Sequence, residues 1–243
     1  MANSAKLGHN MTGAQMSPKD TKTMVEIVKR YSADVPGNAS DLMNARREMA
    51  GEAGRVGSVP VPGSAKGMLK STFEKMMGKN PEVLIDKLGE RLAYERTGVR
   101  LYEAMIAKVQ ALDTGKGADP DLLATLQKIR NEEEEHFHLL VWAVEKLGAD
   151  PTAVTPSADV AGVIALGVMQ VLTDPRTNIS HGMNALLTVE LADNAAWELL
   201  IEMAESAGQK DIAKAFEKAF AQEEKHLATI KSLMRQDQLK QLS

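Results

Sequence analysis

Six side chains that can bind metal ions interrupt four amphipathic stretches of this 243-residue chain. In each stretch, apolar residues recur at alternating spacings of four and three, which places them on one face of one helix. Each apolar face contains one glutamate, and two of these glutamates are followed three residues later by a histidine. The six residues are Glu95, Glu133, His136, Glu190, Glu223 and His226.

The four glutamates are expected to point into a hydrophobic core, because apolar residues flank each of them along its helix face. A buried carboxylate without a partner is costly and takes up a proton instead. Two divalent cations would remove this cost, since their four positive charges match the four carboxylates and the histidines can bind as neutral ligands. The residues therefore predict a site for two metal ions. The alternative is a bundle in which protonated glutamates are hydrogen-bonded to histidine.

A glutamate and a histidine three residues apart on one helix project toward the same point. Their oxygen and nitrogen atoms suit Fe²⁺, Mn²⁺ or Zn²⁺. One such pair is a weak signal, but two pairs, each preceded by a core glutamate on the previous helix, are a strong one. A competing pair, Glu135 and His138, lies on a mostly polar face and is predicted to be solvated, as is His181.

Composition excludes several other kinds of site. The chain contains no cysteine, which rules out disulfides, zinc ribbons, iron–sulfur clusters and thiol nucleophiles. Its first 13 residues are polar and lack the apolar core of a signal peptide. The longest apolar run, residues 160–172, is too short to span a bilayer and predicts a buried helix. A cytoplasmic protein without membrane contact is therefore expected.

Charge divides the chain into a basic and an acidic part. Residues 1–80 contain 12 Lys+Arg and 7 Asp+Glu, a net +5, whereas residues 81–243 contain 17 and 26, a net −9. The acidic part suits cation binding. The small positive charge of the first part is weak support for nucleic-acid binding, so a solvated tail or an arm that contacts another subunit is the preferred interpretation.

The chain is predicted to be all-α, with residues 1–80 as a partly disordered arm with short helices and residues 81–243 as a four-helix bundle. Short turns within the bundle predict two antiparallel hairpins, and a longer connection between them predicts a crossover helix. The crossover helix is expected to begin with Asp159 near its N-cap. The predicted helices cover residues 21–31, 40–52 and 64–77 of the arm, residues 81–112, 120–148, 179–207 and about 210–234 of the bundle, and residues 159–172 of the crossover.

The two predicted hairpins repeat one arrangement of residues. In each, a glutamate on the first helix is followed by Glu-x-x-His on the second. Tyr102 and Trp197 each follow the first glutamate of their hairpin by seven residues. A site with approximate two-fold symmetry is therefore predicted.

This pattern resembles the ferritin-like di-iron carboxylate superfamily, which includes bacterioferritins and rubrerythrins. The resemblance covers residues 82–235, and the rubredoxin module of typical rubrerythrins is absent because it requires cysteine. By the resemblance, Glu133 and Glu223 bridge two metal ions. Its terminal ligands are Glu95 and Glu190, and each ion takes one of the two histidines.

The resemblance gives three further residues a candidate role. Tyr102 is similar in position to a tyrosine that the family often keeps near the metals, and a redox role and a packing role with a hydrogen-bonded hydroxyl are both compatible with it. Asp193 resembles an extra carboxylate of some rubrerythrins, with a surface aspartate as the alternative. Asn194, on the apolar face of its helix, is interpreted as a hydrogen-bonding group beside the ligands.

The resemblance implies an oxidoreductase that binds two Fe²⁺ ions and oxidises them with O₂ or H₂O₂, as a ferroxidase or peroxidase does. Two manganese ions, or one manganese and one iron, would suit the same ligands. Iron storage is a second hypothesis, which the basic arm disfavours because it does not fit the packing of cage-forming ferritins. A structural or partner-binding protein is a third. A homo-oligomer is expected, with a dimer favoured.

Overall fold

Seven α-helices form the described part of the chain. The structure is a computed structural model that describes residues 16–34, 38–61, 80–112 and 119–242, and these residues contain no strand. The prediction of an all-α protein is therefore confirmed. The helices are α1 (Pro18–Arg30), α2 (Ala39–Glu52), α3 (Pro81–Leu112), α4 (Pro120–Lys146), α5 (Pro156–Thr173), α6 (Ile179–Ser206) and α7 (Lys210–Leu242).

The chain divides into two compact units, Met1–Arg55 and Val56–Ser243. The first unit contains α1 and α2, neither of which has a buried residue. Helix α2 begins after Asn38, whose side-chain oxygen accepts a hydrogen bond from the backbone N–H of Asp41 at 2.9 Å. The predicted helix at residues 64–77 lies outside the described residues, and the domain boundary at residue 80 stays a prediction.

Helices α3 and α4 form one antiparallel hairpin of the second unit, and α6 and α7 form the other. The ends that meet show the directions of the helices. Lys146 at the end of α4 lies 3.0 Å from Asp211 at the start of α7. Ser180 at the start of α6 donates a hydrogen bond to Asp237 near the end of α7. Helices α4 and α6 therefore run in the same direction, which requires the long connection that the sequence predicted.

Helix α5 is the crossover, and it runs along α3 from one end of the bundle to the other. At its start, the backbone N–H and the hydroxyl of Ser157 donate to the carboxylate of Asp86 on α3, at 2.9 and 2.7 Å. At its end, Lys108 of α3 donates to the backbone carbonyl of Asp174 at 2.8 Å. These contacts return the chain to the end of the bundle at which α6 begins.

Two predicted helix ends are wrong. Thr155 rather than Asp159 caps α5, since the Thr155 hydroxyl accepts a backbone hydrogen bond at 3.3 Å and Asp159 lies in the first turn. Helix α7 continues to Leu242, eight residues beyond its predicted end. Its last turns are held against the start of α6, where Gln241 donates to the Ser180 hydroxyl at 2.6 Å.

The prediction that the apolar run of α5 is buried is also wrong. Only Ala161 and Leu172 of this helix are buried, whereas Val163 and Ile164 are 66% and 69% exposed. The reason is that α5 packs on the outside of the bundle, against α3 and α6, so its other side has no neighbour among the described residues of the second unit. By length and composition alone, α5 is apolar enough to cross a membrane, and the absence of membrane contact stays a prediction.

Two hydrophobic clusters fill the bundle, one toward each end. The first combines the start of α3 and α7 with the end of α4 and α6, and Leu88, Trp197 and Phe216 are among its fully buried members. The second combines the opposite helix ends and includes Met105 and Ile230. The interrupted helix faces meet between these clusters, so a layer of polar side chains is enclosed by apolar ones above and below.

The absence of a side chain at Gly89 of α3 is expected to be essential for packing the crossover. A Cβ atom there would lie 2.6 Å from Cγ2 and 3.1 Å from Cβ of the buried Thr155, and a side chain branched at Cβ cannot move aside without its backbone. We expect Gly89→Ala to lower the free energy of unfolding by about 1–3 kcal/mol, as overpacking does in other cores.

Gly167→Ala on α5 is the control for this substitution. A Cβ atom there meets no atom within 4 Å, so the change should stabilise the helix by about 0.5–1 kcal/mol through propensity alone. Urea unfolding followed by circular dichroism measures both variants. Equal stability of the two would contradict the close approach of α3 to the start of α5.

Candidate metal centre

Each of the four bundle helices contributes one glutamate to the polar layer. Glu95 comes from α3, Glu133 from α4, Glu190 from α6 and Glu223 from α7, and none is more than 2% exposed. The two histidines of the Glu-x-x-His pairs are buried to the same extent. The heptad spacing thus places all six side chains where the sequence predicted them, inside the bundle.

The six side chains form two overlapping groups of donor atoms. Within each group, one atom from every residue lies within 4.8 Å of the others. Glu133 and Glu223 belong to both groups, which is the arrangement expected of bridging ligands. The first group is Glu95, Glu133, His136 and Glu223, and the second is Glu133, Glu190, Glu223 and His226.

The donor atoms fit a divalent cation. Glu95 and Glu190 each have one buried carboxylate oxygen without a hydrogen-bond partner among the described residues, and the inner oxygens of Glu133 and Glu223 face only the imidazole nitrogens described below. A Cβ atom at Gly98 would lie 2.5 Å from Oε2 of Glu133, so glycine leaves room for a carboxylate on the facing helix. Unpaired oxygens and an imidazole nitrogen in one enclosed place are the ligands that Fe²⁺, Mn²⁺ and Zn²⁺ share.

Both histidines turn Nδ1 toward the carboxylates. Nδ1 of His136 lies 2.6 Å from Oε1 of Glu223. Nδ1 of His226 lies 3.2 Å from Oε2 of Glu223 and 3.4 Å from Oε1 of Glu133. The Nε2 atoms point away from the centre, toward Gln222 and Glu132 respectively. Sequence reasoning missed these two outer partners, although each directly precedes a predicted ligand.

Tyr102 and Trp197, which occupy matching positions in the two hairpins, each donate a hydrogen bond to a glutamate of the other hairpin. The hydroxyl of Tyr102 on α3 donates to Oε1 of Glu190 on α6. The indole N–H of Trp197 on α6 donates to Oε1 of Glu95 on α3 at 3.1 Å. Burial, and then the charge of Glu190, raises the pKa of Tyr102 well above its ordinary value, so this phenol remains a donor. Its redox role stays a prediction.

Asp193 is buried at 1% exposure, so its interpretation as a surface aspartate is wrong. It forms an ion pair with the buried Arg91 and belongs to neither group of donor atoms. Arg91 also donates to Oε1 of Glu95, four residues further along α3. Sequence reasoning missed Arg91, although its i, i+4 spacing from a core glutamate was a usable signal.

The structure also places four other residues that the sequence analysis considered. Asn194 donates to the backbone carbonyls of Glu190 and Glu223, at 3.0 and 3.1 Å, so it ties α6 to α7 and does not touch a carboxylate. Glu135 and His138 are exposed, which confirms that their face is solvated. His181 is exposed as well, and its Nδ1 accepts a backbone hydrogen bond at the start of α6.

Without cations, protons must balance the enclosed carboxylates. Burial, and then the charge of Glu223, raises the pKa of Glu190 to about 8, and the same causes raise the pKa of Glu133 well above its usual range. Burial opposes the ionisation of Glu223, but hydrogen bonds from both histidines lower its pKa to about 2. Burial lowers the pKa of His226, but Glu133 and Glu223 raise it to about 11. A cation would displace these protons.

The helix order and the donor groups together define a class of protein. Two antiparallel hairpins are joined by a crossover helix, and they enclose one glutamate from each first helix and Glu-x-x-His from each second helix. The protein is therefore a ferritin-like four-helix bundle with a buried carboxylate and histidine cluster that can bind metal. The profile of the family described as "Domain of unknown function (DUF892)" matches residues 79–243, and the chain belongs to this family.

Among solved structures, the chain is similar to one described as "Crystal structure of ferritin like, diiron-carboxylate proteins from Bacillus anthracis str. Ames". The two share 20% sequence identity with a TM-score of 0.49, over 62% of this chain and 94% of that one. No curated protein sequence matches the chain.

Metal is expected to stabilise the bundle. A ligand that binds only the folded state at a hundredfold excess over its Kd contributes about 2.7 kcal/mol, which corresponds to roughly 5–10 °C in Tm for a domain of this size. We therefore expect chelation to lower the Tm by this amount at neutral pH. Calorimetry of chelated and metal-loaded protein measures the difference.

The difference in Tm between metal-loaded and chelated protein should widen as the pH rises. Because the folded-state pKa of Glu190, about 8, exceeds its ordinary value of 4.5, its contribution to metal-free stability is complete below pH 4.5 and is lost as the pH rises through 8. The metal-loaded protein should instead become more stable as the pH rises, since fewer protons compete with the metal for the ligands. A quadruple variant with Gln at residues 95, 133, 190 and 223 should be insensitive to chelator. Identical wild-type Tm values with and without chelator from pH 6 to 8 would show that the glutamates do not bind metal.

Proposed function

We propose that the centre binds two iron ions and that the protein is an oxidoreductase of the ferroxidase or peroxidase type. The observation that carries this proposal is the pair of overlapping donor groups that share Glu133 and Glu223. Two cations held by common carboxylates are close enough to act on one small molecule. Glu95 and His136 would complete one metal position. Glu190 and His226 would complete the other.

Two bound Fe²⁺ ions would supply two electrons, which with two protons convert H₂O₂ to two water molecules. The chain's own residues orient the ligands and exclude water. Tyr102 holds one oxygen of Glu190, which leaves the other oxygen free to face the centre. Trp197 does the same for Glu95.

The closure of the centre favours a small oxidant. None of the six ligands is more than 2% exposed, and apolar clusters lie on both sides of them. An organic substrate would require the helices to separate, whereas O₂ and H₂O₂ are small enough to reach a packed interior. Iron storage without turnover, or a purely structural bundle, remains the alternative that the experiment below distinguishes.

Manganese suits the same ligands, because carboxylate and imidazole donors do not discriminate strongly between Fe²⁺ and Mn²⁺. Metal availability in the host then decides which ion is bound. Elemental analysis of the protein purified from its own host measures the identity and the number of ions. Two iron ions per chain is the expected result.

We also propose that a second copy of this chain covers the exposed face of α5, which would give the expected homodimer. Residues 160–172 contain no charged side chain, so two copies of this face meet without charge repulsion, and burying Val163 and Ile164 is favourable. Light scattering should report a dimer for the wild type and a monomer for Ile164→Glu. Leu239→Glu, at another exposed position, should remain a dimer, and a monomeric wild type would refute the proposal.

Anaerobic titration should show two Fe²⁺ ions bound per chain. Glu133→Ala and Glu223→Ala should each lose most of both ions, because each side chain belongs to both donor groups. Addition of O₂ or H₂O₂ to the loaded wild type should oxidise the iron faster than it oxidises free Fe²⁺. His226→Ala should reduce this rate by more than about tenfold, as measured by stopped-flow absorption.

Glu135→Ala is the matched control, since Glu135 is an exposed glutamate between the proposed ligands Glu133 and His136. It should bind two ions and oxidise them at the wild-type rate. If two ions bind but are oxidised no faster than free Fe²⁺, the protein binds or stores iron without turnover. If no ion binds, the metal centre itself is refuted.

A further inference from the structure

The two halves of the centre differ in the residues that face the outer nitrogens of the histidines. Glu132 and Gln222 occupy equivalent places, because each directly precedes a shared glutamate. Oε2 of Glu132 lies 3.0 Å from Nε2 of His226, and Oε1 of Gln222 lies 3.2 Å from Nε2 of His136. One histidine therefore faces a carboxylate and the other an uncharged amide.

A third hydrogen bond links these two outer residues. Nε2 of Gln222 donates to Oε1 of Glu132 at 3.2 Å. An ionised carboxylate can only accept hydrogen bonds, so Glu132 fixes the orientation of the Gln222 amide and turns its oxygen toward His136. Glu132 thus orients both histidines, one directly and the other through Gln222. Both acceptors keep the imidazole proton on Nε2, which leaves the Nδ1 lone pair for a metal ion.

The carboxylate partner makes His226 the stronger ligand. A carboxylate that accepts the N–H of a metal-binding imidazole raises the basicity of the other nitrogen and adds negative charge near the cation, and an amide oxygen does this less. Lys128 lies 3.6 Å from Glu132, but it is 71% exposed, so water screens its charge.

The hydrogen bonds to the two terminal glutamates, Glu95 and Glu190, also make the side of Glu190 the better one for a cation. Oε1 of Glu95 accepts hydrogen bonds from Arg91 and Trp197, and a cationic donor withdraws electron density from the carboxylate. Among the described residues, the carboxylate of Glu190 accepts one hydrogen bond, from the neutral hydroxyl of Tyr102. Asp193 forms an ion pair with Arg91 and partly offsets its charge. Glu95 still accepts a hydrogen bond from a cation, whereas Glu190 accepts one from a neutral hydroxyl. Both observations favour a cation at the side of Glu190.

We propose that the two metal positions are inequivalent, with the Glu190–His226 position binding a divalent cation more tightly and filling before the Glu95–His136 position, and that Glu132 is the positioning residue that creates most of the difference. This inference rests on the proposed metal centre. It assigns an order of filling to two positions that the donor atoms alone would make alike.

Anaerobic titration with Co²⁺, followed by calorimetry and by its visible absorption, tests the proposal without depending on turnover. The wild type should bind two ions in two steps whose Kd values differ by at least about tenfold, and Glu132→Gln should weaken the tighter step by about 10- to 100-fold, as removal of outer partners does at other metal sites. His136→Ala should retain the tighter step and His226→Ala the weaker one, which assigns each step to a position.

Glu134→Gln is the matched control, because Glu134 is an exposed glutamate on the other side of Glu133 in the sequence. This variant should leave both Kd values unchanged. The exchange variant Glu132→Gln/Gln222→Glu retains the net charge and both kinds of side chain. It should transfer the tighter step to the Glu95–His136 position. It therefore tests the role of Glu132 even if Glu132→Gln does not fold.

Equal steps in the wild type would overturn the inequivalence while leaving the two-metal centre intact. An exchange variant whose tighter step still depends on His226 would show that Glu132 does not create the difference. An unchanged titration of Glu132→Gln would overturn the role of Glu132. Failure of the wild type to bind Co²⁺ at all would instead refute the metal centre on which the inference rests.

Discussion

The burial of four carboxylates in one bundle core is the constraint on which the rest of the structure depends. Each ionised carboxylate loses several kcal/mol of hydration when it is enclosed, and like charges that face one another add to this cost. The two histidines and Arg91 reduce it through hydrogen bonds and ion pairs, and protons or metal ions supply the remaining positive charge. A core of this kind is stable only if the surrounding helices cannot relax away from it.

The bundle meets this requirement by enclosing the polar layer between two apolar clusters and by linking the helices across it. Tyr94 of α3 donates to the backbone carbonyl of Val189 on α6 at 2.8 Å. Asn194 links the backbones of α6 and α7. The crossover α5 is anchored to both ends of α3. Side chains that project from rigid, mutually bonded helices retain their geometry better than side chains on loops, so the donor atoms of this cluster are held close together.

The approximate two-fold symmetry supplies a common framework, and its exceptions distinguish the two sides. Tyr102 and Trp197 preserve the symmetry, because each bonds the terminal glutamate of the other half. Glu132 and Gln222 break it in charge, and Gly98 and Asp193, each three residues after a terminal glutamate, break it in size and charge. The repeat therefore accounts for two similar groups of donor atoms, whereas these differences give the two groups different surroundings.

The sequence by itself determined which polar side chains lie in the core and which helices carry them. Heptad spacing reports which residues share a face of one helix, so a glutamate within an apolar stripe had to lie inside the bundle. Short turns dictated antiparallel hairpins, and the long connection dictated a parallel α4 and α6. These inferences need only the geometry of a single helix and the length of its connections.

Only the tertiary structure decided which side chains meet across helices. It paired Asp193 with Arg91, turned Asn194 toward backbone carbonyls, and placed Glu132 and Gln222 behind the histidines of opposite helices. It also left one face of α5 exposed, which an apolar sequence could not reveal because a buried helix and an outer one have the same composition. The physical reason is the same in each case: periodicity fixes direction around one helix axis, whereas contacts between helices depend on their register and spacing, which the packing of the whole core sets.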